Sequence, residues 1–168
     1  MSEQKLIDAL AEAVAAKEGF YVTEEQARAR GIRWPTIPQR CCNPGNVRAW
    51  QDANGRWYPT TGGLGPDGRP RGYVDFVAWA RARHGEKPEE ELRRLALAEG
   101  WRVLKRQIEI YLSGRHTDGK RPSPREMFRK YAPKADGNDP DAYADFVAGR
   151  LGISPDEPFP DNWEPRNG

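Results

Sequence analysis

Glu18 is the side chain in this sequence best placed to do chemistry. Residues 10, 14 and 18 are spaced by four, about one helical turn, so they line one face of a helix expected over residues 3–18. Leu10 and Val14 are apolar and face the interior, and the same line carries Glu18 inward. It also stands at the helix C-terminus, where aligned peptide dipoles disfavour an anion. Partial burial and the dipole both favour the neutral acid and raise its pKa. An acid kept protonated near neutral pH can hand a proton to a leaving oxygen, as cleavage of a glycosidic bond requires. Geometry alone favours the plainer outcome, a frayed helix end with the carboxylate in water.

Other reactive groups offer less. His84 and His116 stand apart in polar loops, and the adjacent Cys41 and Cys42 have no second pair, so no metal and no cofactor is expected. A bridge between neighbouring cysteines is a strained ring, which leaves two reduced thiols. Gly62, Gly63 and Gly65 do not lie between a strand and a helix, so they form a loop and not a phosphate cradle. Two scattered histidines do not build a Ser-His-Asp set.

The elements that must position Glu18 are mostly helical. Leu6, Leu10 and Val14 mark the first helix, with Ser2 as its N-cap and Gly19 after it. A short helix over 23–31 is capped by Thr23 and stopped by Gly31. Residues 33–50, with Pro35, Pro38 and Pro44, read as irregular. Within them Asn43-Pro44-Gly45-Asn46 has the chemistry of a type II turn, with Gly45 at positive φ. Residues 50–76 are the one β region, with hairpin signals at Asn54-Gly55 and Asp67-Gly68. Helices follow over 76–83 and 89–113, the second expected to break near Gly100, with Trp101, Leu104, Ile108 and Tyr111 as its buried stripe. Ser123-Pro124-Arg125-Glu126 is a capping box, and Asp139-Pro140 repeats the cap-plus-proline device. Tyr143, Phe146, Val147 and Leu151 are the inward face of the last helix, and Gly152 stops it. Residues 154–168, rich in proline and acids, read as a tail docked by Phe159 and Trp163.

The chain has 168 residues, enough for one domain with a real core. Its mean hydropathy is −0.91, but six Trp, six Tyr and five Phe supply burial that a disordered chain lacks. Basic and acidic residues number 27 and 25. That balance counts against a nucleic-acid binder working through Arg28, Arg30, Arg33 and Arg40. The first residues carry acids and no apolar run, so neither a secretory signal nor membrane insertion is expected.

Three segments in order carry a resemblance: Glu18-Gly19-Phe20 after a helix, Asn43-Pro44-Gly45-Asn46-Val47-Arg48, and Tyr131-Ala132-Pro133 followed by Asn138-Asp139 and Tyr143. Together they resemble phage and bacterial lysozyme-like proteins related to lytic transglycosylases. Two features depart from that pattern: Cys41-Cys42 replaces polar residues before Asn43, and the stretch 80–100 is longer and more charged. The resemblance implies a mainly α, lysozyme-like α+β fold over residues 1–153, with a small β-hairpin region, a C-terminal helical bundle and a tail over 154–168. It implies cleavage of the β-1,4 bond between N-acetylmuramic acid and N-acetylglucosamine in peptidoglycan, with Glu18 as general acid and base. Asn43, Asn46, Arg48, Tyr131 and Tyr143 are then the substrate-binding candidates. Asn43 is the one most readily explained as shaping the turn alone, and Tyr143 also fits the core stripe.

Asp52 and Asp75 are candidates for a second carboxylate, the plainer reading being solvated loop charges. A single-Glu enzyme uses the substrate's own N-acetyl group instead. If the acceptor is the sugar's 6-hydroxyl, the product is a 1,6-anhydro sugar; if it is water, the bond is hydrolysed. Trp50 and Trp57 are further sugar-stacking candidates, with packing as the commoner role. The expected partner is the peptidoglycan strand, met by a monomer made in the cytoplasm and acting on the wall after release or as part of a virion. The alternative is a non-catalytic lysozyme-like module that binds wall or builds the virion.

Overall fold

The computed structural model describes residues 2–134 and 137–166. Among these the chain is mainly helical, 49% helix against 4% strand. The helices are α1 (Ser2–Lys17), α2 (Glu24–Arg30), α3 (Ile37–Arg40), α4 (Phe76–His84), α5 (Glu89–Leu112), α6 (Pro124–Tyr131) and α7 (Pro140–Leu151). The chain divides into two compact units, one of residues 18–104 and one joining residues 1–17 to 105–168. No helix among the described residues is long and apolar enough to cross a membrane.

In the unit made of the two chain ends, α1 and α6 pack on α7. The stripe of α1 is buried as its spacing requires, with Leu6, Leu10 and Val14 fully covered. The expected Ser2 cap concerns a side chain outside those described. Helix α6 starts on the capping box: Glu126 N–H donates to Ser123 Oγ (3.1 Å), and Ser123 N–H donates to Glu126 Oε1 (2.9 Å). Asp139 caps α7, and Gly152 ends it in the left-handed conformation at φ 72°.

One expectation for this unit is corrected. Phe146 does not face inward; it is 39% exposed, and Ala144 and Ala148 take the buried places beside Tyr143, Val147 and Leu151. The line 143, 147, 151 has two flanks, and burial falls on the one holding the alanines. Residues 154–166 are docked by their aromatics, as the sequence predicts. Phe159 and Trp163 are buried, Trp163 Nε1 donates to the Leu151 carbonyl (3.0 Å), and Phe159 N–H donates to that of Pro122 (2.9 Å). Arg121 ties the segment down, donating to the Phe159 carbonyl (2.6 Å) and forking onto the Glu3 carboxylate (3.0 and 2.8 Å). Two large aromatics supply enough apolar area to hold an otherwise polar segment in place.

In the unit of residues 18–104, α2 starts and stops at Thr23 and Gly31 as its residues predict. Residues 33–50 are not wholly irregular, because α3 forms one turn there. Thr36 and Gln39 make a reciprocal capping box, and Pro38 sits in the first turn, where its missing N–H leaves nothing unpaired. The β region is present only as isolated antiparallel bridges, Gln51 to Trp57, Thr60 to Val74 and Leu64 to Pro70. Both predicted turns bring their flanks together, but prolines and glycines interrupt any longer ladder. Helix α5 is continuous through Gly100. A Cβ there would lie 2.2 Å from the Cys42 carbonyl oxygen and 3.0 Å from Pro44 Cδ. The glycine therefore marks a close approach of backbone and not a break. The core of this unit joins Val47, Tyr58, Val74, Phe76, Leu92, Ala96 and Val103, with Trp50 and Trp79 packed at its edge.

Candidate functional site

Glu18 follows the last residue of α1, in a turn rather than within the helix, and Gly19 turns the chain at φ 89°. Its side chain is half-buried, and Oε1 accepts a hydrogen bond from Asn46 Nδ2 (3.4 Å). Two segments singled out in the sequence, 28 residues apart, thus meet at one carboxylate.

The loop that presents Asn46 is built by Asn43. The Asn43 side chain is fully buried; its Oδ1 accepts from Val47 N–H (2.9 Å), and its Nδ2 donates to the carbonyls of Val47 (2.9 Å) and Val74 (3.0 Å). Those bonds pin the loop and commit the amide, so Asn43 shapes the turn and is not available to a substrate. The turn closes with Asn46 N–H donating to the Asn43 carbonyl (3.0 Å), but Gly45 is not at positive φ as a type II turn would need. Asn46 is, at φ 51°. Asparagine tolerates this region because its short polar side chain bonds locally. Asn46 Oδ1 is buried and has no hydrogen-bond partner among the described residues.

Arg48 is exposed and lies over the Tyr73 ring, 5.2 Å from its centroid, with Nη2 3.5 Å from the Tyr73 hydroxyl. Neither candidate for a second carboxylate is free. Asp52 accepts from Asn54 and Arg56 N–H (2.8 and 3.0 Å), and Asp75 caps α4 by accepting from Val77 and Ala78 N–H (3.1 Å each).

Tyr131 and Tyr143 belong to the other unit, where their rings meet at 6.1 Å. Tyr143 is only 3% exposed and stacked on Phe128 at 4.5 Å, a core position and not a cleft wall. Tyr131 is half-buried among Tyr111, Phe128 and Tyr143. On α5, Leu104 and Ile108 are fully covered, whereas Trp101 and Tyr111 are half-buried; Trp101 packs edge-on against Phe20 (5.7 Å).

One constellation escapes sequence reading. Glu99 on α5 is 10% exposed at its side chain, and accepts from Tyr58 Oη (2.5 Å) and from Arg102 Nε and Nη2 (2.6 and 2.9 Å). Burial pushes the Glu99 carboxyl up, but the bonds from Arg102 and Tyr58 outweigh it and hold it below the usual glutamate range. Burial and the neighbouring carboxylate push Tyr58 up to about 12. The spacing of Glu99 and Arg102 on one helix is legible as an ordinary pair; Tyr58, 41 residues away, is not.

Cys41 and Cys42 are free and buried, and burial pushes Cys41 up to about 11 and Cys42 in the same direction. Such thiols are inert at neutral pH. Among the described residues no group of three or more His, Cys, Asp or Glu could hold a metal ion. No family model, curated protein or solved structure matches the chain.

Proposed function

We propose that the chain cleaves the glycosidic bond between N-acetylmuramic acid and N-acetylglucosamine in peptidoglycan, with Glu18 as its acid, in a lysozyme-like fold related to the lytic transglycosylases. The observation that carries this reading is the contact between Glu18 and Asn46. The acid and the Asn-Pro-Gly-Asn loop, two of the three segments that carry the family resemblance, come together although nothing in their local sequence requires it.

The amide of Asn46 suits a group that must change protonation state. In the present orientation its NH2 donates to a carboxylate. Turned about its terminal bond, its otherwise unpartnered oxygen accepts from a carboxylic acid. Glu18 protonates the bridging oxygen as the bond breaks, and afterwards takes the proton back from the attacking group. With Asp52 and Asp75 held by backbone amides, the carbohydrate's own N-acetyl group is the remaining partner for the developing positive charge. Arg48 carries a guanidinium suited to the carboxylates of the lactyl or peptide substituents.

Glu18→Gln keeps size and hydrogen bonding but cannot supply the proton. It should lower release of soluble fragments from purified sacculi by about a hundredfold to ten-thousandfold, with unchanged thermal unfolding. A folded Glu18→Gln protein that clears sacculi at the wild-type rate rejects the assignment. Mass spectrometry of the fragments separates an anhydro end from a reducing one. Intact sacculi after digestion with wild type favour the non-catalytic wall-binding or virion module.

A further inference from the structure

The β excursion holds a concave surface whose lining includes neither Glu18 nor Asn46. It is a cleft of about 320 Å³ bordered by Arg56, Trp57, Tyr58, Pro59 and Leu64 among others. Trp57 is 40% exposed and Leu64 63%. One exposed apolar side chain is ordinary, but two on the wall of one cleft form a patch. The Trp57 indole N–H donates to no described residue, so a ring face and a polar edge are both on offer.

The platform is anchored at Tyr58. Tyr58, the next residue, is anchored through its hydroxyl to Glu99 and stacked on Trp79 with the ring planes 1° apart. The segment that forms the cleft is net basic. Residues 48–73 hold four arginines against two aspartates. Asp52 is occupied by backbone amides and Asp67 lies 3.7 Å from Arg71, while Arg56 on the cleft wall has no ion pair among the described residues.

A pyranose ring has one apolar C–H face and a rim of polar substituents. The Trp57 and Leu64 surface fits the face, and the indole N–H and the Arg56 guanidinium fit oxygen and carboxylate on the rim. We infer that this cleft is a strand-holding site for an anionic amino-sugar polymer, binding without cutting and apart from the Glu18 acid. The choice of polymer rests on the peptidoglycan reading above.

The test uses the full chain carrying Glu18→Gln, so that the polymer is not consumed, and measures co-sedimentation with purified sacculi. Adding Trp57→Ala should weaken binding by about tenfold. Arg56→Gln should weaken it about threefold. Trp57→Phe, which keeps a ring, should restore most of the loss, and Phe146→Ala, at an exposed aromatic elsewhere, should change nothing. Thermal unfolding of each variant confirms the fold. Parental affinity in Trp57→Ala, an equal loss in Phe146→Ala, or no binding by the parent overturns the inference. Sacculi bound through Trp57 but left uncut by the wild-type chain would instead sink the cleavage reading and leave this site standing.

Discussion

Replacing Gly100 by alanine should destabilise the protein although alanine is the better helix former. In a solvent-facing helix the exchange gains about 1 kcal/mol. Here the new methyl would lie 2.2 Å from the Cys42 carbonyl oxygen and 3.0 Å from Pro44 Cδ, against ordinary separations of about 3.5 Å. One neighbour is backbone and the other a proline ring, so neither can swing aside. Helix or loop must shift by about an ångström, toward the upper end of the roughly 1–3 kcal/mol that overpacking costs. Set against the propensity gain, the net loss is about 2 kcal/mol, a fall of about 4–8 °C in unfolding midpoint for a chain of this size. Gly149 supplies the control. It sits in α7 with nothing within 4 Å of an added Cβ, so Gly149→Ala should raise the midpoint by about 2–4 °C. Differential scanning calorimetry reads both. Because the strained loop also carries Asn46, Gly100→Ala should slow sacculus digestion as well. A midpoint for Gly100→Ala at or above wild type would refute the close-approach argument.

Glu99→Gln should cost about 1–3 kcal/mol at neutral pH, measured by urea unfolding, because Arg102 and Tyr58 lose a charged acceptor. The folded-state pKa of Glu99 is depressed, so its contribution is complete above the ordinary glutamate value and fades as pH falls through the lowered one. The wild-type and variant stabilities should therefore converge in acid; a gap that widens there contradicts the arrangement. Trp163→Ala should destabilise by about 3–5 kcal/mol, as expected of a core aromatic; a change within about 0.5 kcal/mol in calorimetry would mean the last residues are a loose tail after all.

What was legible in the sequence was local. The boxes at Ser123 and Glu126 and the caps at Thr23, Asp139, Gly31 and Gly152 act over one helical turn, so residue type alone predicts them. The stripe of α1 was legible because period and apolar character agree. Thr36 and Gln39 were hidden among prolines, one of which is compatible with a helix start. Phe146 and Tyr143 both sit on the apolar side of α7, and only neighbouring elements decide which is covered. Gly100 looked like a breaker because the backbone it admits comes from residues 42–44.

The sequence by itself determined where most helices start and stop, that the chain is mainly helical, and which carboxylate closes the first helix, because each follows from hydrogen bonds and side-chain spacing within a few residues. Only the tertiary structure decided that Asn46 reaches Glu18, that Asn43 is spent on holding its loop, that Asp52 and Asp75 serve backbone amides, and that Glu99 is clasped by Tyr58. Those facts depend on which distant segments share a surface, and on which polar atoms the packing leaves unpaired; neither is written in the periodicity of any one segment.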